Sequence, residues 1–416
     1  MKTRATKDKA TKALVPKLRF PEFRTAPLRG VQLGDVTEEG RRRNSNKHPA
    51  ASVMGVSKTD GIVPMEARLI AADIERYKIV EHDWFAYNPM RLNIGSIARW
   101  QGGREILVSP DYVVFKCISD DDSGISPSYV DQFRQTKAWD DFVNEGGDGG
   151  VRVRIYYKDI ARIPLALPSL PEQKKIADCL SSLDELIAAQ GRKVEALKTH
   201  KKGLMQQLFP REGETQPRLR FPEFEGSGQW VGTKLGSHVA IQSGYSPSSY
   251  ALSSIGEYPF VKVEDLNNCA KYQFFGREFC DDSHGVVPAN SILFPKRGAA
   301  IELNKIRITA KSILIDTNLM ALTPRDGLKV EFLYYYLSNV GLSQIADTST
   351  IPQINNKHIK PFDVRLPKEA EQQRIADCLS SLDSLITAAS QELDAIKTHK
   401  QGLMQQLFPS AETLEA

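Results

Sequence analysis

The chain repeats itself. Residues 172–210 read EQKKIADCLSSLDELIAAQGRKVEALKTHKKGLMQQLFP, residues 371–409 read EQQRIADCLSSLDSLITAASQELDAIKTHKQGLMQQLFP, and 27 of the 39 aligned positions are identical at an offset of 199. A shorter text, LRFPEF, opens each half at 18–23 and again at 219–224. Each half therefore runs LRFPEF, a variable stretch, and the shared segment. Looking for such repeats first matters because a repeat fixes the architecture before any single motif is weighed. Here it demands two modules with one scaffold and different content. One task performed twice on two targets fits that pattern; an old duplication whose variable parts merely drifted is the alternative.

The shared segment is a helix with a seam. Ile176, Leu180, Leu183, Ile187, Gln190, Val194, Leu197, Lys201, Leu204 and Leu208 alternate spacings of four and three, as do Ile375, Leu379, Leu382, Ile386, Ala389, Leu393, Ile396, Lys400, Leu403 and Leu407. That is a heptad pattern, apolar at nearly every seam position. Pro171, Pro210 and Pro409 delimit the two rods, since proline interrupts a helix. Two seams of equal length most simply bury each other, and an antiparallel coiled coil suits a pseudo-twofold chain. Lys201 and Lys400 occupy one seam slot in both copies, either fixing register or snorkelling out of it. At about 1.5 Å per residue such a rod spans roughly 58 Å, the length of about 17 base pairs.

The variable stretches read as strand-rich with one late helix. Strands are predicted at 105–117 and 162–167 in the first half, and at 258–263, 291–295 and 311–322 in the second. Helices are predicted at 129–144 and 330–346. The fold class is α+β, two strand-rich domains alternating with two long helices.

Composition narrows the function classes without choosing one. With 41% apolar and 25% charged residues among 416, the chain is neither disordered nor collagen-like. A net charge of +4 gives no global basic field, so any nucleic-acid contact has to come from local arrangement. No run of 18 apolar residues suggests a membrane span, and a cytoplasmic protein with reduced thiols at Cys117, Cys179, Cys269, Cys280 and Cys378 is the expectation. The first 19 residues carry seven basic groups against Asp8, a tail able to touch phosphates or simply to stay solvated.

Candidate DNA contacts are chosen by residue type and loop position. Arg91, Asn93 and Arg99 lie in YNPMRLNIGSIARW, Arg152 and Arg154 follow GGDGG, Lys296, Arg297, Asn304 and Lys305 lie in FPKRGAAIELNK, and Gln353, Asn355, Asn356 and Lys357 in IPQINNK. Such side chains match base edges and phosphates, although without context each cluster is more often a solvated loop than a DNA contact. Catalytic signatures are missing: no phosphate loop, HExxH or GxSxG occurs. Asn88-Pro89-Met90 lacks the second proline and aromatic of the amino-methyltransferase tetrapeptide. The seven histidines are scattered, and Asp120, Asp121 and Asp122 read as an acidic loop. No metal site is expected.

These features together resemble the specificity subunit of type I restriction-modification systems. The resemblance rests on LPSLPEQKKIADCLSSLDELI and LKTHKKGLMQQLF with their second copies, on FAYNPMRLNIGSI with VSPDYVVF, and on SILFPKRG with IPQINNKHIKPF. It divides the chain into a basic tail (1–17), a first target-recognition domain (18–170), a central helical spacer (171–210), a second target-recognition domain (211–369), a C-terminal spacer (370–409) and a tail (410–416). It implies a non-catalytic DNA reader of a bipartite, asymmetric site, its two domains held apart by the coiled coil. Two methyltransferase subunits binding AdoMet would dock on it for adenine N6 methylation. Two motor-nuclease subunits using ATP and Mg could join, and this chain would hold no cofactor. A self-sufficient methyltransferase or nuclease, and a coiled-coil scaffold without DNA, are the competing classes.

Overall fold

The computed structural model describes residues 16–119, 123–145, 154–325, 327–347 and 351–408. Arg152, the glycine-rich GGDGG, Asp120–Asp122 and the tail before residue 16 lie outside the described residues. The chain forms two compact units, one reaching to Gly191 and resuming at Glu392, the other spanning Arg192–Gln391. Each boundary falls inside a long helix, so each unit owns the beginning of one rod and the end of the other.

The first unit contains β1 (Arg29–Gln32), β2 (Thr37–Glu39), β3 (Met54–Ser57), β4 (Gly61–Pro64), β5 (Lys78–Val80), β6 (Phe85–Tyr87), β7 (Ile97–Arg99), β8 (Ile106–Val108), β9 (Val113–Cys117), α1 (Pro127–Phe133), α2 (Lys137–Glu145), α3 (Tyr157–Ile160), β10 (Pro164–Leu167) and the first part of α4 (Leu170–Leu208). Its main sheet runs β2-β9-β6-β7. The single helix predicted at 129–144 is two, because Thr136 interrupts it: its hydroxyl donates to the Phe133 carbonyl (2.7 Å) and accepts the Trp139 N–H (3.3 Å), ending one helix and capping the next. The strand predicted at 105–117 likewise splits at Ser109–Tyr112, where Pro110 removes a ladder donor.

The second unit contains β11 (Val231–Lys234), β12 (Val239–Ser243), β13 (Tyr258–Val261), β14 (Tyr272–Gln273), β15 (Glu278–Cys280), β16 (Ile292–Pro295), β17 (Arg307–Thr309), β18 (Leu314–Ile315), β19 (Leu319–Pro324), α5 (Val330–Val340), α6 (Asn356–Ile359), β20 (Asp363–Leu366) and the first part of α7 (Glu369–Leu407). Its sheet order β12-β19-β16-β17-β14 repeats that of the first unit and adds an edge strand. The predicted strand 311–322 breaks at Asp316–Asn318, where the Asp316 carboxylate takes the Asn318 N–H at 2.8 Å, an Asx turn. The helix predicted to 346 stops at Val340 because Gly341 adopts φ +88°.

Within each unit the two rods pack antiparallel. In the first, Lys400 Nζ meets Asp184 Oδ1 at 2.6 Å and Gln190 Nε2 donates to Glu392 Oε2 at 2.7 Å; in the second, Lys201 Nζ meets Asp383 Oδ1 at 2.5 Å. One partner's number falls as the other's rises. Lys201 and Lys400 are repeat equivalents, as are Asp184 and Asp383, so a single ion pair occurs twice. The lysines do not snorkel: the Lys400 side chain is 7% exposed, and its charge fixes the register.

No residue of the predicted seam is exposed on either rod, and the ends of the seam do more than pair helices. Ile176 and Leu180 enter the first module's core with Leu403, Met404, Leu407 and Phe408, where Phe408 lies against Tyr129 and Phe133. Ile375 and Leu379 do the same in the second with Leu204, Met205, Leu208 and Phe209, where Phe209 faces Phe332 and Tyr336.

LRFPEF is the strap that ties each module to its rod. Arg19 grips Glu172 (2.9 and 2.5 Å), and Arg220 grips Glu371 (2.8 and 2.7 Å). The neighbouring glutamines act alike: Gln173 donates to Pro168 O and Gly124 O, Gln372 to Pro367 O and Gly327 O. Both repeats thus conserve scaffold contacts, which frees the sheet ends to differ.

Candidate nucleic-acid interface

In the second unit four loops meet at one end of the main sheet. β12 leaves through Gly244 and Tyr245, whose N–H donates to Ile315 O (3.1 Å). β16 leaves through Lys296, whose N–H donates to Asn318 O (2.8 Å) and whose carbonyl accepts from Ile354 N–H (2.9 Å). Arg297 pairs by a backbone bridge with Gln353. The segments SILFPKRG and IPQINNK, far apart in sequence, are therefore neighbours, and they bring Lys296, Arg297, Gln353 and Asn355 together.

The charges here are arranged rather than scattered. Burial, then the adjacent Arg297, pull the Lys296 ammonium below the ordinary lysine range, against the opposing pull of Asp316. Asp316 is buried and Arg297 exposed. Asn355 caps the turn of α6 and donates Nδ2–H to Gln353 Oε1 at 3.4 Å, while Asn356 and Lys357 stand exposed on its first turn.

Two predicted contacts lie elsewhere and have structural partners. Asn304, at φ +49°, donates to Ser338 O (3.0 Å) and accepts the Leu342 N–H (2.9 Å), holding the end of α5. Lys305 reaches Asn267 Oδ1 at 2.7 Å.

The first unit repeats the loop arrangement with different side chains. Beyond β6, Asn88 takes the Met90 N–H on Oδ1 (2.9 Å), and Pro89 O accepts from Ile155 N–H (3.0 Å), which sets exposed Arg154 beside exposed Arg91 and Asn93's turn. Arg41, exposed beyond β2, joins this end because Gly40 N–H bonds Val114 O (2.8 Å). Arg99 is committed elsewhere, its guanidinium held by Asp131 (2.9 Å) and Asp83 (3.1 Å). Sequence reasoning missed Arg41, Tyr245, Asp316 and Asn318. The run Arg41–Arg43 was a visible signal; the others were not, since a tyrosine after a strand reads as core.

Such an end offers cations and amide groups that can bind a polar partner. Among the described residues no group of three or more His, Cys, Asp or Glu is placed to hold a metal ion, and no helix is long and apolar enough to cross a membrane.

The comparisons with known proteins agree in one direction. The family model for the type I restriction modification DNA specificity domain matches residues 143–199 and 228–398, more than half of the chain. The putative type I restriction enzyme MjaX specificity subunit of Methanocaldococcus jannaschii is 24% identical over 349 residues, covering 81% of this chain and 80% of the relative. The EcoR124I/EcoR124II specificity subunit of Escherichia coli is 21% identical over 259 residues, 56% of this chain and 58% of that one. Among solved structures, the type-I restriction-modification S subunit from M. genitalium superposes with a TM-score of 0.57 at 15% identity, covering 95% of this chain and 99% of that one. A chain from a study of complex assembly and conformational transition in the type I R-M system gives 0.58 at 18% identity, covering 92% and 98%. These structures share the fold.

Proposed function

Because the chain belongs to the type I restriction-modification DNA specificity family, we propose that it reads a bipartite, asymmetric DNA site, one half-site per unit, and docks two copies of an adenine-N6 methyltransferase subunit. One observation carries this reading: the two units repeat their scaffold contacts while presenting different polar residues at the same sheet end, Arg41, Arg91 and Arg154 in one, Lys296, Arg297 and Gln353 in the other. Arginine and glutamine there can take guanine and adenine edges. AdoMet would be bound by the methyltransferase subunits, ATP and Mg by motor-nuclease subunits joining them, and this chain would supply recognition alone.

The outer faces of the rods support the docking of two identical partners. Leu186 is 49% exposed and its repeat equivalent Leu385 55%, both within the text that the repeats share. An apolar side chain kept bare at the same place twice suits two copies of one partner. Changing Leu186 and Leu385 together to Glu is expected to abolish co-purification with the methyltransferase subunit, with the circular dichroism of the chain unchanged; full retention of the complex would refute this docking face.

The test of the reading is to co-express the chain with its methyltransferase subunit in a host lacking adenine methylation and map N6-methyladenine across the genome. A two-part motif with a fixed gap is the expected result. An assembled, soluble complex that methylates nothing would return the chain to the scaffold class. Within that assay Arg297→Ala is expected to weaken one half-site by about ten- to a hundredfold; equal loss on unrelated sequences would mark Arg297 as a phosphate contact.

A further inference from the structure

The Tyr245 side chain is exposed and yet held. It is 39% exposed, but its ring has contacts on three sides. Tyr250 meets it edge-on at 6.4 Å between centroids, and the His284 ring lies 4.9 Å away. Gly285, at φ +74°, passes beneath it so closely that a Cβ there would sit 2.5 Å from the ring. That glycine is itself fixed: Gln242 Nε2 donates to its carbonyl at 2.6 Å, and the segment it opens pairs Val287 with Ile313. Tyr250 OH ties down His284 O at 3.1 Å. On the strand side, Gly244 lies so close to the Asp316 carbonyl that a Cβ would collide with it. Gly285 therefore makes room for the ring itself, and Gly244 lets the backbone that carries it close on Ile315 and Asp316.

The place is as specific as the restraint. Tyr245 forms a backbone bridge to Asp316, Lys296 N–H donates to Asn318 O two residues further on, and Arg297 pairs with Gln353. The Tyr245 backbone thus joins the row of loops that the proposed function assigns to DNA. Holding an aromatic in place before binding removes the entropy cost of ordering it afterwards. A flat apolar edge, with one strand between its loop and that of Lys296 and Arg297, suits one feature of the major groove, the thymine 5-methyl group, which only the A·T pair carries there.

We propose that Tyr245 recognises the 5-methyl group of one thymine in the half-site read by the second unit. The inference rests on the DNA-reading function proposed above and deepens it. Lys296 and Arg297 then supply charge and base-edge contacts, Tyr245 shape, and Gly244 and Gly285 are positioning residues.

The experiment uses the full chain assembled with its methyltransferase subunit. After the motif is mapped, kcat/KM is measured on duplexes in which each motif thymine is replaced singly by deoxyuridine, which lacks only the methyl. One replacement, in the half-site that Arg297→Ala weakens, is expected to slow the wild type about three- to tenfold, the scale of one buried methyl group. Tyr245→Phe keeps that response; Tyr245→Ala loses it, and Tyr245→Asn is the second variant should Ala fail to assemble. If no thymine of that half-site responds, or the ring-less variants respond as the wild type does, the inference is overturned while DNA reading stands. A wild-type complex with no motif at all overturns the reading itself, and this inference with it.

Discussion

Replacing Arg220 with Met is expected to destabilise the unit spanning residues 192–391 by about 3–5 kcal/mol. Arg220 makes two hydrogen bonds to the Glu371 carboxylate, at 2.8 and 2.7 Å, and Glu371 is 1% exposed. The Trp230 indole N–H, at 3.2 Å, is the carboxylate's other described side-chain partner. Removing the guanidinium strands a buried negative charge, and it is the stranding, rather than the net worth of the pair, that sets the size of the loss. The double change Arg220→Met with Glu371→Gln is therefore expected to recover most of the stability, since it removes both charges and leaves Trp230 an acceptor. Urea unfolding followed by tryptophan fluorescence checks this, because Trp230 is the one tryptophan between residues 192 and 391. A loss below about 1 kcal/mol, the range of an exposed pair, would show that the strap is not structural. Arg19→Met should act the same way through Glu172 in the other unit, so the two LRFPEF texts are tested as one device.

How much of this was legible in the sequence depends on the kind of interaction. The rods were legible because heptad spacing is a property of a single helix, and their pairing because two equal seams need partners. The register became clear only with the acids in view: Asp184 and Lys201 lie on one rod, Asp383 and Lys400 on the other, and antiparallel packing matches each lysine to the opposite aspartate. Arginines and asparagines in loops were far less legible. Arg99 and Arg297 look alike as residue types, yet Arg99 is held by Asp131 and Asp83 while Arg297 is exposed at the sheet end. Asn304 holds the end of α5 through a left-handed backbone that nothing in IELNK announces. Partners of polar side chains come from residues distant in sequence, and periodicity carries no trace of them. Tyr245 was passed over for the same reason: its meaning lies in Gly285, 40 residues away.

On the proposed function, in which each unit reads one half of a two-part site, matched seven-residue insertions, one in α4 after Gln190 and one in α7 after Ala389, are expected to lengthen the gap in the motif by about three base pairs and leave the bases of both halves unchanged. Seven residues preserve the heptad seam and add about 10.5 Å of helix, against 3.4 Å per base pair. Both insertions fall between the ion pairs, so Lys400 keeps Asp184 and Lys201 keeps Asp383. An insertion in one rod only cannot satisfy both pairs at once, because the other rod holds their partners a fixed 17 residues apart; it should cost assembly instead of moving the gap. Mapping N6-methyladenine in cells carrying each variant separates these outcomes. An unchanged gap in an active doubly inserted complex would mean that something other than the paired rods measures the DNA, and the lysine–aspartate pairs would then serve stability alone.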